Sequence, residues 1–156
     1  MRNDKFFLRE SIKTAATSRN KGNLPFGCIL VDADGNIIKQ GENSIVTDKN
    51  AIAHCEINLV NNISGIYTKE FLQTCTVYAS TEPCPMCAAA IFWSGIGRLV
   101  FALGKEKFHE IVGTINPAYL LELSAEEVLS KGGRKVKVEG PLLEEEAIDF
   151  YKTIYK

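Results

Sequence analysis

The sequence has no apolar run near the ~20 residues that cross a bilayer, so no transmembrane helix and no membrane partner is expected. It lacks an excess of charge of either sign. Eighteen Lys and Arg stand against 19 Asp and Glu, for a net charge of −1. Without a strongly basic footprint, a nucleic-acid partner is disfavoured. The charged opening, MRNDKFFLRE, is followed by no apolar segment. No secretory signal is expected, and a cytoplasmic location follows. The five cysteines (Cys28, Cys55, Cys75, Cys84 and Cys87) are an odd number. They argue against a disulfide framework and for a reducing compartment. Internal repeats, linkers and low-complexity segments are also missing. What remains is 156 residues, 46% hydrophobic, enough for one sizeable core, so residues 1–156 read as a single domain.

Along that chain, helical spacing of apolar residues runs from Asp4 to about Asn20. Phe26 to Asp32 reads as a buried strand, 32–36 as a turn, and Ile37 to Glu42 as the returning strand of a hairpin. A polar loop spans 43–53, and a helix is expected from His54 to about Asn62. Thr76 to Ser80 forms a third strand. Pro83 and Pro85 bracket the start of a helix that reaches about Ser94, and Arg98 to Leu103 forms a fourth strand. The stretch 104–123 is ambiguous. Ser124 to Glu127 is a capping box, predicting a helix to Gly132. Arg134 to Glu139 alternates as a strand, and Leu142 to Tyr155 closes the chain as a helix. Strands alternating with helices indicate a layered α/β architecture.

The chemistry concentrates in His54-Cys55-Glu56 and Pro83-Cys84-Pro85-Met86-Cys87. Cys84 and Cys87 flank the first turn of a predicted helix, so their sulfurs can converge. A helix N-terminus favours thiolate over thiol. With His54 as third ligand, two sulfurs and one imidazole nitrogen suit zinc rather than magnesium or calcium. Three protein ligands leave one position open, the mark of a catalytic site, where a bound water is acidified. Glu56, in the same turn as His54, is placed to carry a proton. A structural zinc knot would want a fourth ligand, and Cys28, Cys55 and Cys75 are poorly placed for it. A redox C-x-x-C would leave His54 and Glu56 without a role.

H-x-E with P-C-x-x-C is the known signature of zinc nucleobase deaminases. The chain resembles the cytidine deaminase-like superfamily from Asn23 to about Leu103, in the branch of guanine, cytosine and tRNA adenosine deaminases. The matching pieces are Pro25-Phe26-Gly27, Gly41-Glu42-Asn43, Ala53-His54-Cys55-Glu56 and Thr81 through Cys87. Cys55 stands where the family usually has Ala. The resemblance implies a three-layer α/β/α fold with a central five-stranded mixed sheet and helices on both faces. It implies one Zn2+ per subunit on His54, Cys84 and Cys87, and Glu56 as the catalytic acid–base. It also implies a base pocket that uses Asn43, Phe26, Ala53 and Trp93, and a homodimer. A backbone N–H near Ala53 or Cys84 is expected to steady the developing charge.

The expected reaction is hydrolytic deamination of a small nucleobase or nucleoside. A purine such as guanine is favoured because Trp93 would offer a broad stacking face. Cytosine and tRNA adenosine are the alternatives, and so is a noncatalytic zinc-binding partner subunit, against which the retained Glu56 argues. His109 reads as a surface or packing residue, Glu144 to Glu146 as a solvated helix face, and Tyr151 and Tyr155 as packing residues.

Overall fold

The computed structural model describes residues 3–113 and 115–155. Its elements are α1 (Asp4–Asn20), β1 (Gly27–Val31), β2 (Ile37–Glu42), α2 (Ile45–Asp48), α3 (Cys55–Ile63), α4 (Lys69–Gln73), β3 (Thr76–Thr81), α5 (Pro85–Ser94), β4 (Arg98–Leu103), α6 (Lys105–Val112), α7 (Ala125–Ser130), β5 (Lys137–Glu139) and α8 (Glu144–Ile154). The sheet order is β2-β1-β3-β4-β5. β1 runs antiparallel to β2 and β3, while β3, β4 and β5 are parallel.

The period-2 alternation of strand side chains builds two cores. On one face Cys28, Leu30, Val77, Ala79, Leu99 and Phe101 pack with residues of α3, α5 and α7. On the other, Ile29, Val31, Tyr78, Val100 and Ala102 meet residues of α1 and α8. β1 and β3 are buried along their whole length because helices cover both faces. The three-layer sandwich with a mixed five-stranded sheet is the architecture expected from the sequence.

Local chemistry explains several ends. Asn3 caps α1 by accepting the Phe6 N–H at 3.1 Å, and Ser124 caps α7 through the Glu127 N–H at 3.1 Å. Gly41 is required by close approach: a Cβ there would lie 2.3 Å from the Cys55 carbonyl oxygen. That contact seats the start of α3 directly on the sheet.

Some boundaries differ from the sequence reading. The polar loop after β2 contains α2, and α4 was not anticipated. The ambiguous 104–123 stretch contains α6 and a short 3-10 turn, Pro117–Tyr119. The fifth strand starts at Lys137 rather than Arg134, because the Arg134 guanidinium is drawn to the end of α5. It donates there to the carbonyls of Phe92 (2.6 Å) and Ile96 (2.8 Å). The last helix starts at Glu144 rather than Leu142, whose N–H instead donates to the carbonyl of Phe101 in β4 at 3.0 Å. Among the described residues, no helix is long and apolar enough to cross a membrane.

Candidate active site

One end of the sheet gathers the carboxyl ends of parallel β3 and β4, the residue before β1 and the residue after β2. Such carboxyl ends are the usual ligand crevice of open α/β sheets. A cavity of about 140 Å³ lies there, lined by residues that include Phe26, Asn43, His54, Glu56, Glu82 and Cys84. Three helices begin around it. His54, Cys84 and Gly104 are the N-cap residues of α3, α5 and α6, and none makes a side-chain cap hydrogen bond. The backbone of His54 and Cys84 is extended, and both residues line the cavity.

His54 Nδ1 lies 3.7 Å from Cys84 Sγ and 3.5 Å from Cys87 Sγ. Tetrahedral bonds of ordinary Zn–N and Zn–S length would separate N and S by about 3.6 Å. The three donor atoms all lie within 4.8 Å of one another. The set is therefore already shaped to the edges of a zinc tetrahedron. Its one nitrogen and two sulfurs are zinc donors rather than magnesium or calcium donors.

The electrostatics agree. Hydrogen bonding from Cys87 and His54 holds the Cys84 thiol down at about 4, despite its burial. Cys87, which shares its proton with Cys84, is pushed up. His54 is raised, chiefly by its hydrogen bond to Cys84. One thiolate thus faces a histidine whose protonated form it favours, so a metal that takes the imidazole nitrogen must displace that proton. Metal binding must expel the second thiol proton.

Glu56 is 6% exposed and shares the cavity wall with His54 and Cys84. Burial pushes its carboxyl up, as suits a group that takes and returns a proton. Asn43 is 1% exposed, and its Oδ1 accepts the Ile45 N–H at 3.1 Å. Phe26 lines the cavity and meets Phe108 edge to face at 5.3 Å.

Two expected pocket residues are not brought to the cavity. Trp93 is 71% exposed near the end of α5, its ring edge-on to Phe92. Its place follows from helix geometry, since it lies two turns beyond the ligand end of α5. Ala53 is buried but not in the lining. Its N–H donates to Asn50 at 3.1 Å and is unavailable to a developing oxyanion.

The structure adds residues that the sequence reading passed over. Glu82, Lys105, Phe108 and His109 line the cavity. His109 was read as surface or packing. The sequence signal for it is the amphipathic spacing of 105–112, which α6 realises. Behind the wall, Tyr151 is fully buried, as a packing role requires. Its hydroxyl donates to the Pro25 carbonyl at 2.8 Å and is hydrogen-bonded to Ser80 at 2.9 Å.

Comparison with known proteins agrees with this geometry. Residues 1–103 match the family described as the cytidine and deoxycytidylate deaminase zinc-binding region. The chain is 39% identical over 152 residues to a probable cytosine deaminase of Schizosaccharomyces pombe, covering 97% of this chain and 92% of that one. It is 35% identical over 101 residues to a tRNA-specific adenosine deaminase of Bacillus subtilis, covering 65% and 62%. The structure of a guanine deaminase from Nitrosomonas europaea superposes with a TM-score of 0.79 at 20% identity, covering 98% of this chain and 85% of that one. At that identity the superposition carries the fold.

Proposed function

Because this chain belongs to the cytidine and deoxycytidylate deaminase zinc-binding family, we propose that it hydrolyses the exocyclic amino group of a small free nucleobase, with cytosine as the preferred substrate. The family makes it a zinc-dependent deaminase, a hydrolase of C–N bonds. The finer assignment is a free pyrimidine base. The observation that carries it is the relative of nearly equal length, 39% identical from end to end, whose name is that of a cytosine deaminase. The purine preference expected from the sequence depended on Trp93, whose indole stands outside the cavity. The net charge of −1 gives little counterion-release energy for a polynucleotide.

In this reading water replaces the amino group, and cytosine plus water gives uracil plus ammonia. Zinc, when bound by His54, Cys84 and Cys87, supplies a Lewis acid that makes a water nucleophilic near neutral pH. Glu56 takes a proton from the attacking water and passes it to the ring nitrogen beside the amino-bearing carbon. It then takes the second proton, from the hydroxyl now on that carbon, and gives it to the amino nitrogen, so that the C–N bond breaks, ammonia leaves and a carbonyl remains. Burial of its carboxyl favours such two-way transfer. Asn43, whose Oδ1 is held by Ile45, directs its Nδ2 donor to a carbonyl on the ring edge. Phe26 and Phe108 enclose the ring's faces and exclude water.

The test is ammonia release by the zinc-loaded protein from cytosine, guanine, adenosine and a tRNA anticodon stem-loop. Turnover of cytosine above the others is expected. Turnover of guanine alone replaces the pyrimidine assignment, and turnover of the stem-loop alone removes the small-base reading. The proposal includes a homodimer, supported by large apolar side chains left exposed, such as Trp93, Tyr119 and Leu121. Light scattering at micromolar concentration should give twice the 17.2 kDa chain mass.

A further inference from the structure

We propose that Glu82 is a positioning residue whose carboxylate fastens α6, the helix that carries Phe108 and His109 over the cavity, to the loop that carries Cys84. The inference rests on the cavity being the deamination site. Glu82 sits between the end of β3 and Pro83, and its own N–H donates to the Leu103 carbonyl at 2.8 Å. Its two carboxylate oxygens are divided. Oε1 accepts the Lys105 N–H, the first of α6, at 3.1 Å. Oε2 accepts the Ala125 N–H, the first of α7, at 3.0 Å. One side chain thus joins three segments distant in sequence.

The need for this bond is local. α6 is preceded by Gly104, which has no side chain to cap it. None of its eight residues is fully buried. It is held by the Glu82 bond, by Phe108 against Phe26, Tyr151 and Tyr155, by Ile111 against the core beneath α1 and α8, and by the Lys105 ammonium on the carbonyls of Leu121 and Leu123. A carboxylate that accepts helix-terminal N–H groups makes a charge-assisted bond and also meets the positive end of the helix dipole. Of the groups that hold α6, Glu82 alone lies within two residues of a metal ligand. The distance between Phe108 and the zinc ligands is therefore set through it.

Glutamine at this position keeps one acceptor but turns an NH2 group toward the other N–H. Zinc-loaded Glu82→Gln should retain one zinc per chain. The amides of Lys105, Ala125 and residues 106–112 should exchange with deuterium about tenfold faster or more. With the base that the ammonia assay selects, KM should rise about tenfold while kcat falls by less. Glu82→Asp, one methylene shorter, should fall between Gln and the native protein, and it carries the test if the Gln variant does not fold. Hydrogen exchange needs no substrate, so it decides the tether even if cytosine is not turned over.

A second substitution separates tethering from simple capping. A Cβ at Gly104 would meet nothing within 4 Å. In Glu82→Gln/Gly104→Asp the new side chain should cap α6 and restore protection of 106–112, while KM stays raised. Unchanged exchange in Glu82→Gln, loss of zinc from it, or return of KM to the native value in the double variant would overturn the proposal.

Discussion

The floor and the roof of the cavity are built by different means. The floor is the start of α3 and α5, where Cys87 and Glu56 are buried and the ligands are spaced by local sequence. Both helices press their apolar sides into the larger core. The roof is α6 and the aromatic cluster of Phe26, Phe108, Tyr151 and Tyr155, with centroids 5.2 to 6.4 Å apart. It is assembled from residues more than a hundred positions apart, and α6 buries none of its own fully. The floor is therefore expected to be rigid, and the roof to be the part whose position is adjustable.

The comparison can be broken at the floor with the largest effect. Cys87→Ala should lose the zinc and all measurable deamination, as metal analysis and ammonia release would show. Chelation of the native protein should lower Tm, because binding energy for the metal is folding energy. Retention of full zinc by Cys87→Ala would remove this cysteine from the ligand set. Glu56→Gln should be next. It should keep zinc and lose about 100- to 10,000-fold in kcat. Near-native kcat would require another proton carrier.

A site remote from both regions sharpens the contrast by moving stability and not catalysis. At the opposite end of β4, the Arg98 guanidinium is shared between Asp4 (2.8 Å) and Glu139 and also approaches the Tyr78 hydroxyl. Arg98→Met should cost about 2–3 kcal/mol in urea unfolding, since it leaves carboxylates partly buried without their cation. Glu139 is held below the usual carboxylate range by Lys137 and Arg98. Its contribution is present above the unfolded carboxylate value and lost as pH falls through the lower folded one. The native protein should therefore lose this stability on acidification below about pH 4.5. The variant should show a flatter acid limb, and an equally steep one would remove Glu139 from the account.

The smallest effects test the roof. Phe108→Ala should raise KM about tenfold, from lost apolar contact of roughly 1–2 kcal/mol, with kcat and zinc little changed. Trp93→Ala should leave KM within about twofold, because its ring stands outside the cavity lining. Steady-state kinetics on both variants compares them directly. A KM change for Trp93→Ala as large as that for Phe108→Ala would reverse the assignment of the stacking face.

What the sequence determined by itself was local. Residues close together in the chain set each half of the zinc site, because an i, i+3 cysteine pair at a proline-marked helix start has one geometry, and His54 and Glu56 share a turn; the fold brings the two halves, 30 positions apart, together. Near-continuous apolar runs such as 28–31 and 99–103 pointed to strands buried on both faces, and the family resemblance supplied the three layers. Tertiary structure decided what depends on distant partners. It placed Trp93 on the surface, since an apolar-looking helix end does not say which direction the core lies. It turned Arg134 from a strand position into a cap for α5, since the carbonyls of Phe92 and Ile96 accept its guanidinium there. It raised α6 out of an ambiguous stretch and brought His109 and Phe108 to the cavity. The cap on that helix comes from Glu82, 23 positions earlier than Lys105, so no window of local sequence contains it.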